Sequence, residues 1–278
     1  ALGMEYAKNH NADLLLATDP DCDRVGIAVK NKNDEYQLLT GNETGMLLLD
    51  YICSRRIALN IMPKDPIMVK TIVTIDMAER IASSYGVKTY DVLTGFKYIG
   101  EIIGKLEKEG KEKSYIFGFE ESYGCLSGTY VRDKDAVNDA FLIVEMFSYY
   151  KSKGISLLDK LDELYKKFGY TLNTLYSFEF DGTEGFTKMN NIMDSFRKDI
   201  KEFGDKKVLK VLDYNKGIDG LPKSNVIKFI LSDNSSLVVR PSGTEPKLKT
   251  YLSISSINKE EAKKEEEKLH ESVLKFIK

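Results

Sequence analysis

Thr18-Asp19-Pro20-Asp21-Cys22-Asp23-Arg24 places three carboxylates at alternate positions of one short loop. Side chains at i, i+2 and i+4 of an extended segment share a side, so Asp19, Asp21 and Asp23 converge and repel one another unless a cation neutralises them. An all-oxygen donor set suits Mg²⁺, Mn²⁺ or Ca²⁺ better than zinc. An EF-hand is excluded, because Arg24 and Lys30 stand where its loop needs Gly at the sixth position and Glu at the twelfth. A merely acidic surface loop is the plain alternative, but three aspartates directly between apolar runs are costly without a role. Asp21-Cys22-Asp23-Arg24-Val25 also matches a D-x-D-x-[TV] phosphatase nucleophile pattern, with Asp135 and Asp139 as later acids. In that pattern the first Asp follows its strand directly, whereas here Asp19-Pro20 intervene.

Two further loops carry polar groups suited to ligands. In Gly118-Phe119-Glu120-Glu121-Ser122-Tyr123-Gly124, Glu120 and Ser122 face the same way and together read vicinal sugar hydroxyls, since both accept hydrogen bonds and the serine also donates. Taken alone, a loop with Glu and Ser is structurally neutral. Arg132-Asp133-Lys134-Asp135 follows with cations, and Asp135 reads equally well as a helix N-cap. In Arg240-Pro241-Ser242-Gly243-Thr244-Glu245-Pro246-Lys247, Arg240 offers a bidentate fork. Ser242 and Thr244 offer hydroxyls there, and Gly243 lets backbone N–H groups approach an anion. That is a phosphate cradle without the order of a nucleotide-binding loop; a tight Pro/Gly turn is the plain alternative.

The elements that must position these loops follow from periodicity. A short helix (2–9) leads to a buried strand (13–18) and, past the acidic loop, to a second apolar run (25–29). A polar turn at 31–34 precedes a helix (44–56). Strands at 67–73, 87–92 and 114–119 then alternate with helices at 77–85 and 98–107, before helices at 136–151 and 157–167. Short connections between alternating elements predict a mostly parallel sheet with covering helices. Beyond Gly169 the pattern changes to strands at 174–180, 208–212, 225–231, 237–240 and 248–254, with a helix at 186–203 and a hairpin signal at Asp233-Asn234. A charged last helix opens on Asn258-x-x-Glu261. The fold class is α/β: a mixed α/β sheet domain followed by a smaller α+β domain with an antiparallel sheet. The predicted segments are 1–36 with the metal loop, 37–168 and 169–278.

Composition narrows the setting. A length of 278 residues with 42% apolar and 30% charged side chains suits about two folded domains. A net charge of -2 argues against a general nucleic-acid binder. No apolar run has the length of a membrane span and the start lacks the pattern of a signal peptide. Cys22, Cys53 and Cys125, scattered and unpaired in sequence, fit a reducing cytoplasm. His10 and His270 fall beside helices, far from the three loops, and read as surface or packing residues. Helix running into strand at the first residues predicts that the chain begins inside a larger protein.

Read in order, the three loops resemble the α-D-phosphohexomutase family, the phosphoglucomutases and phosphomannomutases, over essentially the whole chain. Asp19, Asp21 and Asp23 are similar to that family's Mg²⁺ loop, with Arg24 as companion. Glu120 and Ser122 resemble its Glu-x-Ser sugar loop in the third domain, and Arg240, Ser242, Gly243 and Thr244 the phosphate loop of the fourth. Thr94-Gly95-Phe96-Lys97 resembles its Thr-Gly-aromatic-Lys segment beside the sugar, and Lys134 a lysine implicated in proton transfer or phosphate binding. The resemblance implies a four-domain mutase that interconverts hexose 1-phosphate and hexose 6-phosphate through a phosphoserine and a hexose 1,6-bisphosphate. It implies catalytic roles for Arg24, Lys97 and Lys134 and sugar contacts from Gly95, Phe96, Glu120 and Ser122. Glucose is the first expected sugar and mannose the second, because Gly95-Phe96-Lys97-Tyr98-Ile99-Gly100 and the Glu120 loop look more like the branch that tolerates both than the phosphoglucosamine branch. The family's Ser-His-Asn-Pro nucleophile segment is absent from these residues. The expectation is therefore a partner half in the same polypeptide, weak Mg²⁺ binding and no turnover by this chain alone. A non-catalytic sugar-phosphate-binding protein, or a haloacid-dehalogenase-type phosphatase, is the alternative.

Overall fold

Two units make up the chain, Ala1–Phe168 and Gly169–Lys278, and each carries its own apolar core. The computed structural model describes residues 2–180, 182–218, 220–242 and 245–277. Among them no helix is long and apolar enough to cross a membrane.

The first unit opens with α1 (Leu2–Asn9) and an antiparallel meander of β1 (Leu14–Thr18), β2 (Val25–Lys30) and β3 (Tyr36–Leu39). The apolar run of β1 predicts a buried strand, but it is half-buried to exposed along its length, because it forms one edge of this sheet. The aspartate loop is thus the turn of an antiparallel hairpin, with Thr18 opposite Val25, not the end of a parallel strand. That topology removes the basis of the phosphatase reading.

Next come α2 (Gly41–Ala58), β4 (Ile67–Thr71), α3 (Met77–Ser84), β5 (Lys88–Val92), α4 (Phe96–Lys108), β6 (Tyr115–Phe119), β7 (Cys125–Leu126), α5 (Ala136–Ser152) and α6 (Leu157–Phe168). Helix α2 starts earlier than its apolar spacing predicts. Thr40 accepts the Glu43 N–H and Glu43 reaches back to the Thr40 N–H, a reciprocal cap that satisfies two otherwise orphaned donors. The sheet order is β5-β4-β6-β7, parallel throughout except for the two-residue β7, which returns antiparallel beside β6. The C-terminal ends of β4, β5 and β6 therefore lie side by side, where open α/β sheets bind ligands. Buried polar groups sit at this end, the largest of them a lysine. Lys70 of β4, wholly buried, has its ammonium 2.9 Å from Asp91 and 3.2 Å from Asp76. Burial opposes its charge, but the two carboxylates outweigh that and hold its pKa above the ordinary lysine value.

In the second unit β8 (Tyr170–Glu179), α7 (Gly182–Phe196), β9 (Glu202–Phe203), β10 (Lys206–Asp213), β11 (Ile227–Leu231), β12 (Ser236–Pro241), β13 (Lys247–Ser256) and α8 (Lys259–Ile277) follow in order. The sheet is antiparallel, ordered β8-β13-β12-β11-β10-β9. The helix expected over 186–203 stops at Phe196. Phe203 keeps the apolar spacing but belongs to β9, because Gly204, with φ of 64°, turns the chain so that Phe203 pairs with Lys206. Phe203 still reaches the core, edge-on to Phe229 at 5.0 Å between ring centroids. Asn234, with φ of 63°, makes the expected turn between β11 and β12, and Asn258 caps α8 by accepting the Glu261 N–H. His10 stacks on Tyr6, and His270 on Tyr176 at 3.6 Å, so both histidines pack against aromatic rings.

Candidate active-site elements in the two units

The hairpin turn between β1 and β2 folds on its own first carboxylate. Asp19 Oδ1 accepts the backbone N–H groups of Asp23 at 3.1 Å and Arg24 at 3.0 Å, and Cys22 adopts a φ of 57°. This winding brings ligand oxygens of Asp19, Asp21 and Asp23 within 4.8 Å of one another. A hard cation fits such a donor set: the oxygens are close enough to share one ion, and Asp21 is exposed. Burial works against the charge of Asp19, but the N–H groups of Arg24 and Asp23 outweigh it and keep the carboxyl below its usual range.

Lys134 joins this loop to the rest of the unit. Its ammonium lies 2.7 Å from Asp23 and 3.0 Å from Asp133, and 5.4 Å from the centroid of the Phe96 ring. Burial opposes its charge, yet the carboxylates of Asp23 and Asp133 hold its pKa above the ordinary value and favour the ammonium form. Its stem runs across Gly124, where a Cβ would stand 2.1 Å from Lys134 Cδ. Arg24 is half-exposed, with Nε 3.7 Å from Asp23.

The sugar loop leaves the C-terminal end of β6. Glu120 is buried, and its Oε1 accepts the Gly95 N–H at 3.1 Å. Burial first, then the neighbouring Glu121 carboxylate, raise the Glu120 pKa; Lys134, the Gly95 N–H and Arg24 oppose them. Gly95 has φ of 119° at the start of α4, a conformation side-chain-bearing residues avoid, and Phe96 beside it is buried. Glu120 and Gly95 are thus in contact, with Phe96 next in line beneath Lys134. Ser122 is half-buried in the same loop, just before Tyr123 at φ of 71°. Lys97 is not gathered in: it is exposed, with its ammonium 4.9 Å from the Tyr98 ring. Thr94 Oγ1 is buried without a hydrogen-bond partner.

Several positioning residues escaped the sequence reading. Gly41 presses the start of α2 against the sugar loop, so that a Cβ would fall 2.2 Å from the Glu121 carbonyl oxygen and 2.6 Å from the Tyr123 nitrogen. Gly45, one turn on, similarly faces the Phe119 ring. The G-x-x-x-G spacing from 41 to 45 was available as a signal of close approach. Thr71 and Thr74 hydroxyls reach Glu121 at 3.5 and 3.4 Å, which turns Glu121 toward β4. Asp135, by contrast, caps α5 through the Val137 and Asn138 N–H groups, the N-cap role that the sequence offered for it.

In the second unit Arg240, on β12, donates from Nη2 to the Tyr251 hydroxyl at 3.3 Å, while its buried Nε–H has no partner. The Ser242 N–H donates to the Lys247 carbonyl at 2.7 Å, closing the turn toward β13. Lys247 sits 3.0 Å from Glu179 and 3.2 Å from Glu245. Gly243 and Thr244, the other two cradle positions, lie outside the described residues.

The chain is similar to known proteins along nearly all of its length. Residues 40–168 match the model of the phosphoglucomutase/phosphomannomutase alpha/beta/alpha domain III, and residues 195–271 that of the phosphoglucomutase/phosphomannomutase C-terminal domain. A phosphoglucomutase of Staphylococcus saprophyticus is 35% identical over 275 residues, which is 94% of this chain and 48% of that protein. A phosphoglucomutase of Staphylococcus aureus strain MSSA476 is 38% identical over 267 residues, 92% of this chain and 47% of that protein. The chain therefore spans about half the length of the curated relatives it matches. Among solved structures, the open form of pp63/parafusin, a phosphoglucomutase from Paramecium, superposes with a TM-score of 0.67 over 95% of this chain and 46% of that one; at 19% identity it attests the fold. Two domain models of one family match in the order of the motifs, the first across the sugar loop and Lys134, the second across Arg240. The chain belongs to the phosphoglucomutase/phosphomannomutase family of phosphohexomutases.

Proposed function

We propose that this chain contributes the metal, sugar and phosphate contacts of a phosphohexomutase that interconverts hexose 1-phosphate and hexose 6-phosphate. Glucose is the preferred sugar and mannose the second, and the route runs through a phosphoserine and a hexose 1,6-bisphosphate. The observation that carries this reading is the position of Lys134, bonded to Asp23 of the aspartate loop and resting on Phe96 beside the Glu120-bound Gly95. One basic side chain thus connects three of the motif segments.

Each residue has a role the geometry supports. Asp19, Asp21 and Asp23 would hold Mg²⁺, which supplies neutralisation of phosphoryl charge when bound. Glu120, fixed through Oε1 by the Gly95 N–H, keeps Oε2 for a sugar hydroxyl, and Ser122 adds a donor to the adjacent one. Lys134, kept protonated by Asp23 and Asp133, donates to phosphate or to a sugar oxygen. Arg240, with an unpartnered Nε–H, offers the fork for the phosphate that is not reacting. The acid or base for the sugar hydroxyl falls to Lys134 or Lys97, and Arg24, which stays charged, adds a cation beside the phosphoryl group. We place the enzyme in the cytoplasm, in keeping with its three free cysteines.

Calorimetric titration with glucose 6-phosphate in Mg²⁺ buffer tests the binding role. Binding is expected, weakened about tenfold by Glu120→Gln and by Ser122→Ala, the scale of one hydrogen bond to a charged or well-placed group. Unchanged affinity in both variants would overturn the reading. With no Ser-His-Asn-Pro segment in its sequence, the purified chain is expected to convert no glucose 1-phosphate; turnover free of host enzyme would refute that part.

A further inference from the structure

Asp139 is the acid whose burial no role so far accounts for. It lies in the first turn of α5 with no exposed surface. Its Oδ2 accepts the Cys125 N–H at 3.1 Å, and its Oδ1 has no hydrogen-bond partner. A half-satisfied buried carboxylate is costly, so the fold keeps it at the expense of stability.

The contacts around it show what it joins. Cys125 ends the sugar loop, one residue past Gly124, whose carbonyl accepts the Glu120 N–H. The Asp135 N–H donates to the Cys125 carbonyl, and the Ala136 N–H to the Cys22 carbonyl inside the aspartate loop. Lys134, just ahead of this turn, reaches Asp23. The start of α5 therefore grips both loops, and Asp139 is the side chain through which it holds the sugar loop. We infer that Asp139 is a positioning residue: its carboxylate tethers the Cys125 amide and so sets Glu120 and Ser122 against Lys134 and the aspartate loop. The functional part of this inference rests on the reading of Glu120 and Ser122 as sugar contacts; the tether itself does not.

A carboxylate tether strengthens when the group loses its proton, because an ionised acceptor binds an N–H more strongly than a neutral one. The groups that face Asp139 are the Cys125 thiol on β7, the Tyr115 hydroxyl on β6, Tyr130 on the segment before α5, and Asp135 and Asn138 on its own turn. None is a cation, so nothing holds Asp139 ionised at low pH, and burial raises its pKa to about 7 against the pull of the Cys125 thiol and N–H. The tether is then weaker in mild acid and tighter in mild base.

The test uses the whole chain, its Asp139→Asn variant, and glucose 6-phosphate as probe. In the wild type the amide resonance of Cys125 is expected to move with a single step near neutral pH, and the affinity for glucose 6-phosphate to rise through the same step. The carboxamide of Asp139→Asn keeps the shape but not the charge, so the variant should lose the Cys125 step. It should keep only the pH dependence that the ligand's own phosphate contributes through its second ionisation, at about pH 6, and bind roughly three- to tenfold more weakly above pH 8, the range of coupling between neighbouring groups. A Cys125 amide that does not move with pH in the wild type overturns the tether, whether or not the variant folds. A folded variant with wild-type affinity and pH profile overturns the positioning role. If the wild type binds no glucose 6-phosphate at any pH, the sugar reading fails while the amide titration still decides the tether.

Discussion

Replacing Asp139 with Asn should stabilise the protein in mild base and leave it nearly unchanged in acid. Burial raises the carboxyl from 3.8 to about 7, partly opposed by the Cys125 thiol and N–H. When the folded-state value lies above the unfolded one, the associated stability is complete below the unfolded value and is lost as pH rises through the folded value. For Asp139 that window runs from about pH 4 to about pH 7. At 1.36 kcal/mol for each tenfold change in acidity, the rise corresponds to about 4 kcal/mol, a large share of the roughly 5–15 kcal/mol that holds a domain folded. The introduced carboxamide carries no charge at any pH and keeps a carbonyl for the Cys125 N–H. The advantage of the variant should therefore grow from near zero at about pH 4 to about 4 kcal/mol at about pH 8. Glu120, raised by burial and by Glu121, shifts into this window, whereas Asp13, lowered by Lys151, and Asp159, lowered by Lys32, titrate below it. They are common to both proteins and cancel in the difference. Urea unfolding followed by circular dichroism or tyrosine emission suits a chain with 16 tyrosines and no tryptophan. The transition of the second unit, which lacks Asp139, serves as an internal control. A difference between variant and wild type that stays constant across the window, or a variant less stable at pH 8, would refute the reasoning.

Gly41→Ala forces a Cβ onto the sugar-loop backbone and should cost about 1–3 kcal/mol in urea unfolding while weakening glucose 6-phosphate binding; Gly104→Ala, with nothing within 4 Å, should be neutral or stabilise by up to about 1 kcal/mol. Lys70→Met removes the cation between Asp76 and Asp91 and should destabilise the first unit by about 3 kcal/mol, with partial recovery on adding Asp91→Asn; no loss would show that the pair contributes nothing. Lys134→Met removes a positive charge from Asp23, so Mn²⁺ affinity measured by electron paramagnetic resonance should rise about threefold or more as glucose 6-phosphate affinity falls. Weaker Mn²⁺ binding would instead mean that Lys134 holds Asp23 in its ligating position.

How much of the fold was legible depended on element length. Helices α4 and α8 repeat their apolar spacing over several turns, and the alternation of strands and helices between 67 and 119 predicted a mostly parallel sheet, which β5, β4 and β6 form. Strand β3, with four residues, and β7, with two, are too short to show a period of two. They exist because a neighbouring strand already offers paired backbone groups. The overrun from Phe196 to Phe203 has a different cause. Both rings enter one aromatic cluster, and a side chain bound for the core looks the same in sequence whether a helix or a strand delivers it; Gly204 was the local sign of the turn. The exposure of β1 depends on which strands flank it, a property of the sheet and not of Leu14–Thr18.

Within the site, legibility divided along another line. Groups defined by type and spacing, such as Asp19, Asp21 and Asp23, could be found from sequence, because the chemistry needs those residues and the loop is local. Groups defined by what they touch could not. Lys97 and Lys134 both lie near a glycine and a motif aromatic, and sequence offers no ground to separate them. In the folded chain Lys134 is held between Asp23 and Asp133, and Lys97 stands in solvent over Tyr98. Asp139 was visible only as an acid four residues past Asp135, suited to a phosphatase pattern; its burial against the Cys125 amide depends on β7. A tether of this kind has no sequence signature of its own. It is recognised by a cost, an ionisable group buried and half-satisfied where an alanine or asparagine would be more stable, and by what would move if it were released. Stability lost at Asp139 and geometry gained at Glu120 are then two measurements of one contact, and Asp139→Asn should shift them in opposite directions.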